Sequence, residues 1–99
     1  MKTRFIKMYP ADNVVVLLEP LHQGEELKVD GQLIRAWDEI PVGHKMAIRD
    51  IPEGDYAIKH GERIGRLTAS VPIGSLVHVH NVYDITEEVY LEERAKLGL

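Results

Sequence analysis

Two histidines, His78 and His80, stand two residues apart in a short apolar run. In a β-strand, residues i and i+2 point to the same face, so these imidazoles would lie side by side with Cα atoms roughly 6.5–7 Å apart. Such a pair can ligate a metal ion or hold an anionic substrate. The alternative is a solvent-facing strand with two polar positions, because a His-x-His spacing is a weak signal.

Other polar residues flank tight turns. His44 and Lys45 follow the turn at Gly43, and Lys59 comes just before Gly61. A rigid scaffold often presents functional groups at such places, although simple exposure is the alternative for each of them. Asn81 follows His80, where its amide can bond the backbone. Four aspartates are scattered at predicted turns with no pairing visible in the sequence: Asp12, Asp38, Asp50 and Asp55.

Three copies of the pattern aliphatic-Pro-x-Gly divide the middle of the chain into short segments: residues 40–43, 51–54 and 71–74. The pattern predicts type I turns with Pro at the second place and Gly at the fourth. The run Val14–Leu18 predicts a strand buried on both faces, and Asp30-Gly31 predicts a two-residue hairpin turn. Strand-like runs at about 8–12-residue spacing are typical of an all-β sandwich or barrel.

The C-terminal segment differs from the rest because it is acidic and lacks turn signals. Asp84 or Thr86 can cap a short helix, which Gly98 would end. The sequence therefore predicts one β domain over residues 1–83 and an acidic helical tail over residues 84–99.

Composition limits the classes of function. The chain has 99 residues, 44% of them hydrophobic, and a net charge of −4. One small core is possible, but deep pockets are usually walled by more than one element or domain, which favours a partner. No basic stripe supports nucleic-acid binding, and no apolar run approaches the ~20 residues that span a bilayer. Cysteine is absent, which excludes disulfides and thiolate chemistry. A cytoplasmic protein is expected.

Three blocks of the chain resemble the N-terminal SAF-type domain of the altronate dehydratase family. They carry the patterns GHK-x-A-x-x-DI, K-x-GE-x-IG and VH-x-HN, within residues 40–51, 58–65 and 74–81. Asp12-Asn13-Val14 matches the opening DNV of that family. Tyr9 stands where the family often has His, and the tail after Asn81 has no counterpart.

The resemblance implies a β-clip fold, which is small and mostly antiparallel. It also implies a sugar-acid hydro-lyase that dehydrates altronate or galactarate to a 2-keto-3-deoxy acid, with a divalent metal, typically iron (Fe2+). Related two-subunit enzymes such as sulfolactate sulfo-lyase carry this domain on a separate small chain. The expected partners are therefore a large catalytic subunit or domain and a sugar acid, and a homo-oligomer is compatible with this.

On this hypothesis, one rim of a site completed by the larger chain is lined by His44, His78, His80 and Asn81. His78 and His80 would bind the substrate carboxylate or contribute to the metal, and Lys45 or Lys59 would add positive charge. Two alternatives stay open. The domain can be a non-catalytic SAF module that binds a ligand or a partner, or the small subunit of a lyase for a sulfonated hydroxy acid.

Overall fold

The computed structural model describes residues 4–77, 82–83, 92 and 95–98. These residues form short strands, and every strand pair is antiparallel, which confirms the all-β prediction. The strands are β1 (Phe5–Ile6), β2 (Val14–Leu17), β3 (Glu26–Val29), β4 (Gln32–Arg35), β5 (Lys45–Ala47), β6 (Tyr56–Lys59), β7 (Glu62–Leu67), β8 (Leu76–Val77) and β9 (Val82–Tyr83). Most are shorter than the predicted runs, since turns occupy the ends.

The strands are arranged in three sheets. A central sheet has the order β1-β2-β5-β8, the hairpin β3-β4 forms a second sheet, and β6-β7-β9 form a third. Isolated bridges join Leu21 to Ile40 and Ile51 to Val71. Among the residues described, there is no helix with the length and apolar character that crossing a bilayer requires.

The central sheet separates two apolar cores. In β2, Val14 belongs to one core and the next residue, Val15, to the other; in β5, Ala47 and Met46 are divided in the same way. Since successive side chains of a strand point to opposite faces, a strand with a core on each face has to be apolar throughout. The prediction that the run beginning at Val14 is buried on both faces is confirmed.

The chain folds as two similar repeats, which we define as residues 21–47 (the first repeat) and residues 51–77 (the second repeat). Each begins at a bridged apolar residue, passes through a tight turn and a hairpin, and returns through a second tight turn. The hydrogen bonds correspond as well. Gly24 donates to Ala36 in the first repeat, and Gly54 donates to Leu67 in the second, both at 2.9 Å.

The tight turns differ from the prediction in one respect. In the first copy, His44 N donates to Pro41 O at 3.2 Å, so Pro41 is the first residue of the turn and Gly43 the third. Gly43 has φ of 81°, and a positive φ at the third place is the signature of a type II turn. The type I assignment was therefore wrong. Proline's fixed φ is compatible with the first place of such a turn as well as with the second, so proline alone does not fix the place.

The two hairpin tips adopt the same conformation. Asp30 and Gly31 have φ of 50° and 81°, and His60 and Gly61 have φ of 53° and 76°. Two consecutive residues with positive φ define a type I′ turn, whose twist matches that of the strands it joins. The hairpin prediction at Asp30-Gly31 is confirmed.

Only part of the predicted tail belongs to the described residues. Glu92, Ala95 and Lys96 are helical, and Gly98 follows them with φ of 75°. The candidate caps Asp84 and Thr86 lie outside the described residues. Glu92 is joined to Arg63 of β7 by two hydrogen bonds, so the tail contacts the second repeat.

Candidate functional site

Lys45 lies in the middle of the central sheet rather than on an open surface. It is paired with Val16 of β2 on one side and with Val77 of β8 on the other. Ala47, two residues further along β5, belongs to the core that also contains Val14 and Ala57, so Lys45 points to the face of the sheet on which that core lies. Its side chain is half-buried there.

Lys59 is the last residue of β6 and lies close enough to Lys45 to affect its titration. Burial lowers the pKa of the Lys45 ammonium group, and the positive charge of Lys59 lowers this pKa further. Within the part of the chain that the structure describes, neither lysine forms an ion pair with a carboxylate. The structure thus brings two predicted site residues together as a cationic pair.

Asn13 fixes β6 against the central sheet. Its amide nitrogen donates to Tyr56 O at 2.8 Å, and its carbonyl oxygen accepts from Ile58 N at 2.7 Å. The next residue, Val14, begins β2 and is paired with Ala47 of β5. Asn13 therefore links the strand that carries Lys59 to the sheet that carries Lys45.

Asp12 holds the turn that follows Lys59. Its carboxylate accepts hydrogen bonds from Gly61 N at 2.7 Å and from Met8 N and Tyr9 N at 3.2 Å each, and the residue is 1% exposed. Burial raises the pKa of this carboxyl, but the backbone N–H donors, Gly61 first, lower it by more, so the net pKa lies below its usual value. Asp12 thus acts as an anionic clamp on the second hairpin.

His44 lies immediately before β5 and is positioned by the turn at Gly43. Its backbone N–H closes that turn on Pro41 O, and its ring Nδ1 lies 3.3 Å from Val42 O. Since a carbonyl oxygen only accepts, the ring nitrogen is the donor in this contact. His44 and Lys45 are both half-buried and adjacent in the chain.

The remaining predicted site residues, His78, His80 and Asn81, lie outside the described residues. Val77, which is paired with Lys45, directly precedes His78 in the chain. Among the residues that are described, no three His, Asp or Glu side chains are grouped so that they could hold a metal ion. The described residues therefore do not fit a metal centre, and the metal role of His78 and His80 stays a prediction.

Aspartates that seemed unconnected in the sequence secure the fold around this site. Asp38 accepts a hydrogen bond from Leu76 N at 2.9 Å, and Asp50 accepts one from Ile73 N at 2.8 Å. Together with Asp12, these bonds join segments far apart in the chain. Asp and Asn side chains at turns usually bond only nearby backbone groups, so their position in a turn did not indicate these long-range bonds. The DNV pattern was the signal that could have identified Asp12 and Asn13 as positioning residues.

Comparison with known proteins identifies the class of domain that this fold and this site define. The family described as "Altronate/galactarate dehydratase SAF domain" matches residues 3–84. The chain belongs to this family.

Its relatives include complete enzymes and a separate subunit. The chain is 37% identical over 87 residues to an altronate dehydratase of Bacillus subtilis (strain 168), with 88% of this chain and 18% of the relative covered. It is 40% identical over 78 residues to an altronate dehydratase of Escherichia coli (strain K12), with 79% and 16% covered. A (2R)-sulfolactate sulfo-lyase subunit alpha of Chromohalobacter salexigens is 42% identical over 65 residues, with 52% and 69% covered.

These proportions show that the chain corresponds to a small part of the altronate dehydratases and to most of the sulfo-lyase subunit. The relatives are lyases in which this domain is a portion of a longer chain or one subunit of an enzyme.

Proposed function

We propose that this chain is the small subunit or N-terminal domain of a sugar-acid hydro-lyase of the altronate dehydratase kind. In this role it closes one side of an active site carried mainly by a larger chain or domain, in the cytoplasm. The observation that carries the proposal is the cationic pair Lys45–Lys59, because two neighbouring ammonium groups without a described acidic partner favour an anion between them.

The proposed chemistry explains why such a pair would be useful. Dehydration of a sugar acid removes the proton α to a carboxylate and expels the β-hydroxyl, so negative charge develops beside the carboxylate. Fixed positive groups in a partly buried site stabilise that charge more than they would in water. A carboxylate bound between Lys45 and Lys59 would also offset their mutual repulsion.

The other predicted residues complete the rim in this proposal. His44 lies next to Lys45, and His78 follows the residue paired with Lys45. We place His78, His80 and Asn81 with His44 on the substrate side, where the imidazoles bind the carboxylate or contribute to a metal. A divalent metal, Fe2+, belongs to the complete enzyme in this proposal, with most of its ligands on the larger portion.

A second candidate is the small subunit of a sulfolactate sulfo-lyase-like enzyme. It is favoured by the high share of the sulfo-lyase subunit alpha that the alignment covers, 69%, against 18% of an altronate dehydratase. A sulfonate is an anion too, so the lysine pair suits either substrate. The third candidate is a non-catalytic SAF module that binds a ligand or a partner.

The test is co-expression with the larger lyase portion, followed by an assay for 2-keto-3-deoxy acid formation from altronate with and without ferrous iron. We expect Lys45→Met and Lys59→Met each to raise KM about tenfold or more, the cost of losing a hydrogen bond or ion pair to a charged group. Lys28→Met, in the exposed part of β3, is the matched control and should leave KM unchanged.

The outcomes separate the candidates. Turnover of sulfolactate but not altronate would select the second candidate. A chain that forms no complex with any larger lyase portion would select the binding module and refute the proposal.

A further inference from the structure

The outer edge of β4 is open in the part of the chain that the structure describes. In an antiparallel ladder, alternate residues direct their backbone groups to the partner strand. Ala36 N donates to Glu25 O in the first hairpin, so the backbone N–H and C=O of Ile34 also face β3. The backbone N–H and C=O of Leu33 and Arg35 therefore face away from β3. The described hydrogen bonds leave Leu33 N–H, Leu33 C=O and Arg35 N–H unpaired.

An apolar groove of about 500 Å³ follows this edge. It is lined by residues 32–37, by Gln23 and Gly24 of the opening turn and by Ile73. Its apolar members are Leu33, Ile34, Ala36, Trp37 and Ile73. Leu33 and Trp37 are each 64% exposed, which is unusual for two large apolar side chains beside the same groove. Open backbone groups beside apolar pockets are the features that strand addition uses.

The second repeat shows what an occupied edge looks like in this fold. There the strand that corresponds to β4 is β7, and its outer edge is paired with β9, with Arg66 opposite Tyr83 and Leu67 opposite Val82. In the first repeat, the bonds among the described residues close just the end of the edge, where Trp37 N donates to Gly74 O at 2.8 Å. The open part of the edge lies before this point, from Leu33 to the N–H of Arg35.

We propose that an extended segment of the larger lyase portion adds to the open edge of β4 as an antiparallel strand. The inference rests on the proposed function, since it names the surface by which the domain joins its partner. The occupant is argued from length: this chain covers 18% and 16% of two altronate dehydratases, so most of such an enzyme remains to contact the domain.

The edge defines the chemistry of the incoming segment. One of its residues exchanges two hydrogen bonds with Leu33, and a carbonyl further along accepts from Arg35 N–H. Apolar side chains at alternate positions fill the groove beside Trp37, and an acidic residue faces the exposed guanidinium of Arg35.

Trp37 provides a direct probe because it is the single tryptophan in the sequence. The full chain labelled with 5-fluorotryptophan gives one 19F resonance, which is recorded alone and after addition of the larger lyase portion. We expect the resonance to shift and lose solvent accessibility when the partner is added. The affinity of the complex and its lyase activity are measured on the same samples.

Two variants of the first hairpin test separately whether its β4 edge or its β3 edge binds the partner. Leu33→Pro removes an outward N–H from the β4 edge, and Lys28→Pro removes one from the opposite edge, directly across the ladder. We expect Leu33→Pro to weaken the complex at least tenfold and Lys28→Pro to leave it unchanged. Leu33→Asp keeps the backbone N–H but places a charge beside the apolar groove, and it should weaken the complex as well. It serves as the test if Leu33→Pro does not fold.

Each outcome decides the inference. An active complex in which the 19F resonance is unmoved, or in which both Leu33 variants bind normally, overturns the strand-addition proposal while the proposed function stands. A resonance that shifts with the concentration of this chain alone assigns the edge to a second copy and also overturns it. Absence of any complex refutes the proposed function instead.

Discussion

The first and second repeats share their backbone plan but have different surroundings. Both hairpin tips are type I′ turns, at Asp30-Gly31 and His60-Gly61. The first tip is contacted by a surface ion pair, Lys7–Asp30 at 3.0 Å, in which the Asp30 side chain is 69% exposed. The second tip is bound by the buried carboxylate of Asp12, and its hairpin is further held by Asn13.

The outer edges of the two hairpins differ in the same way. In the second repeat β9 covers β7, whereas in the first repeat the β4 edge faces a groove beside exposed Trp37. One repeat is therefore fixed in place with Lys59 near Lys45, and the other keeps an accessible surface. The same local conformation serves two roles because the contacts around each hairpin, rather than its turn, decide what it does.

The largest expected difference between the repeats concerns their return turns. Gly43 and Gly74 both have positive φ, but a Cβ at Gly74 would overlap the Arg35 carbonyl oxygen, whereas a Cβ at Gly43 meets nothing within 4 Å. Gly43→Ala should cost about 1–2 kcal/mol, the penalty of a left-handed alanine. Gly74→Ala should cost about 3 kcal/mol or more, because a backbone clash is added.

Urea unfolding of the two glycine variants measures this difference. Equal losses in the free energy of unfolding would mean that Gly74 does not approach β4 as described.

The clamp on the second tip gives the next effect. Asp12→Asn keeps the shape of the side chain but loses its charge and replaces one acceptor oxygen by an NH2 donor that faces backbone N–H donors, so it should lower the free energy of unfolding by about 2 kcal/mol. Asp30→Asn is the matched change at the first tip and should cost less than about 0.5 kcal/mol, as expected for a surface ion pair. A larger loss for Asp30→Asn would reverse the assignment of the clamped repeat.

Acid should weaken the same clamp. The pKa of Asp12 is lower in the folded chain than its usual value, so its contribution to stability is complete above about pH 4 and is lost as the pH falls through the folded pKa. The difference in unfolding free energy between wild type and Asp12→Asn should therefore narrow from pH 5 to pH 3. A constant difference over that interval would contradict the role of the ionised carboxylate.

The smallest expected effect lies at the opening turn of the first repeat. His22 occupies the place that Pro52 takes in the second repeat. Its ring Nδ1 donates a hydrogen bond to the Glu39 carboxylate at 2.9 Å, which raises the pKa of His22, and the charges of Glu39 and Glu25 raise it further. Glu39→Gln should lower that pKa toward its usual value, as an NMR titration would measure. The stabilisation that protonated His22 gains from Glu39 is present below about pH 6.5, and it is lost as the pH rises through the raised pKa of His22.

The control for this titration is Glu25→Gln, whose carboxylate lies 4.0 Å from His22 Nε2. It should change the pKa of His22 less than Glu39→Gln does; the reverse order would show that the contact with Glu39 is not the main cause.

Local features of the fold followed from local sequence. The hairpin at Asp30-Gly31 was predicted because few residues tolerate two successive positive φ angles, and the opening turn of the first repeat was missed because Leu21-His22-Gln23-Gly24 lacks the proline of the other copies. The predicted type of the Pro-x-Gly turns was wrong because proline's fixed φ is compatible with more than one place in a turn.

The candidate site was predicted less completely. His44, Lys45 and Lys59 were chosen from turn positions and from the family patterns, but neither gave the closeness of the two lysines. Asp12 seemed an isolated turn residue, although its carboxylate binds Gly61, whose place beside it depends on how β6 packs against β2.

By itself, the sequence determined the hairpin turn at Asp30-Gly31, the strand that is buried on both faces, and membership of a lyase domain family, because these depend on backbone sterics, the run of apolar residues and motif. The tertiary structure alone decided which hairpin is clamped, which edge stays open among the described residues, and that Lys59 lies near enough to Lys45 to lower its pKa. These contacts join residues far apart in the chain, and strand pairing brings them together through the burial of two cores rather than through any local spacing.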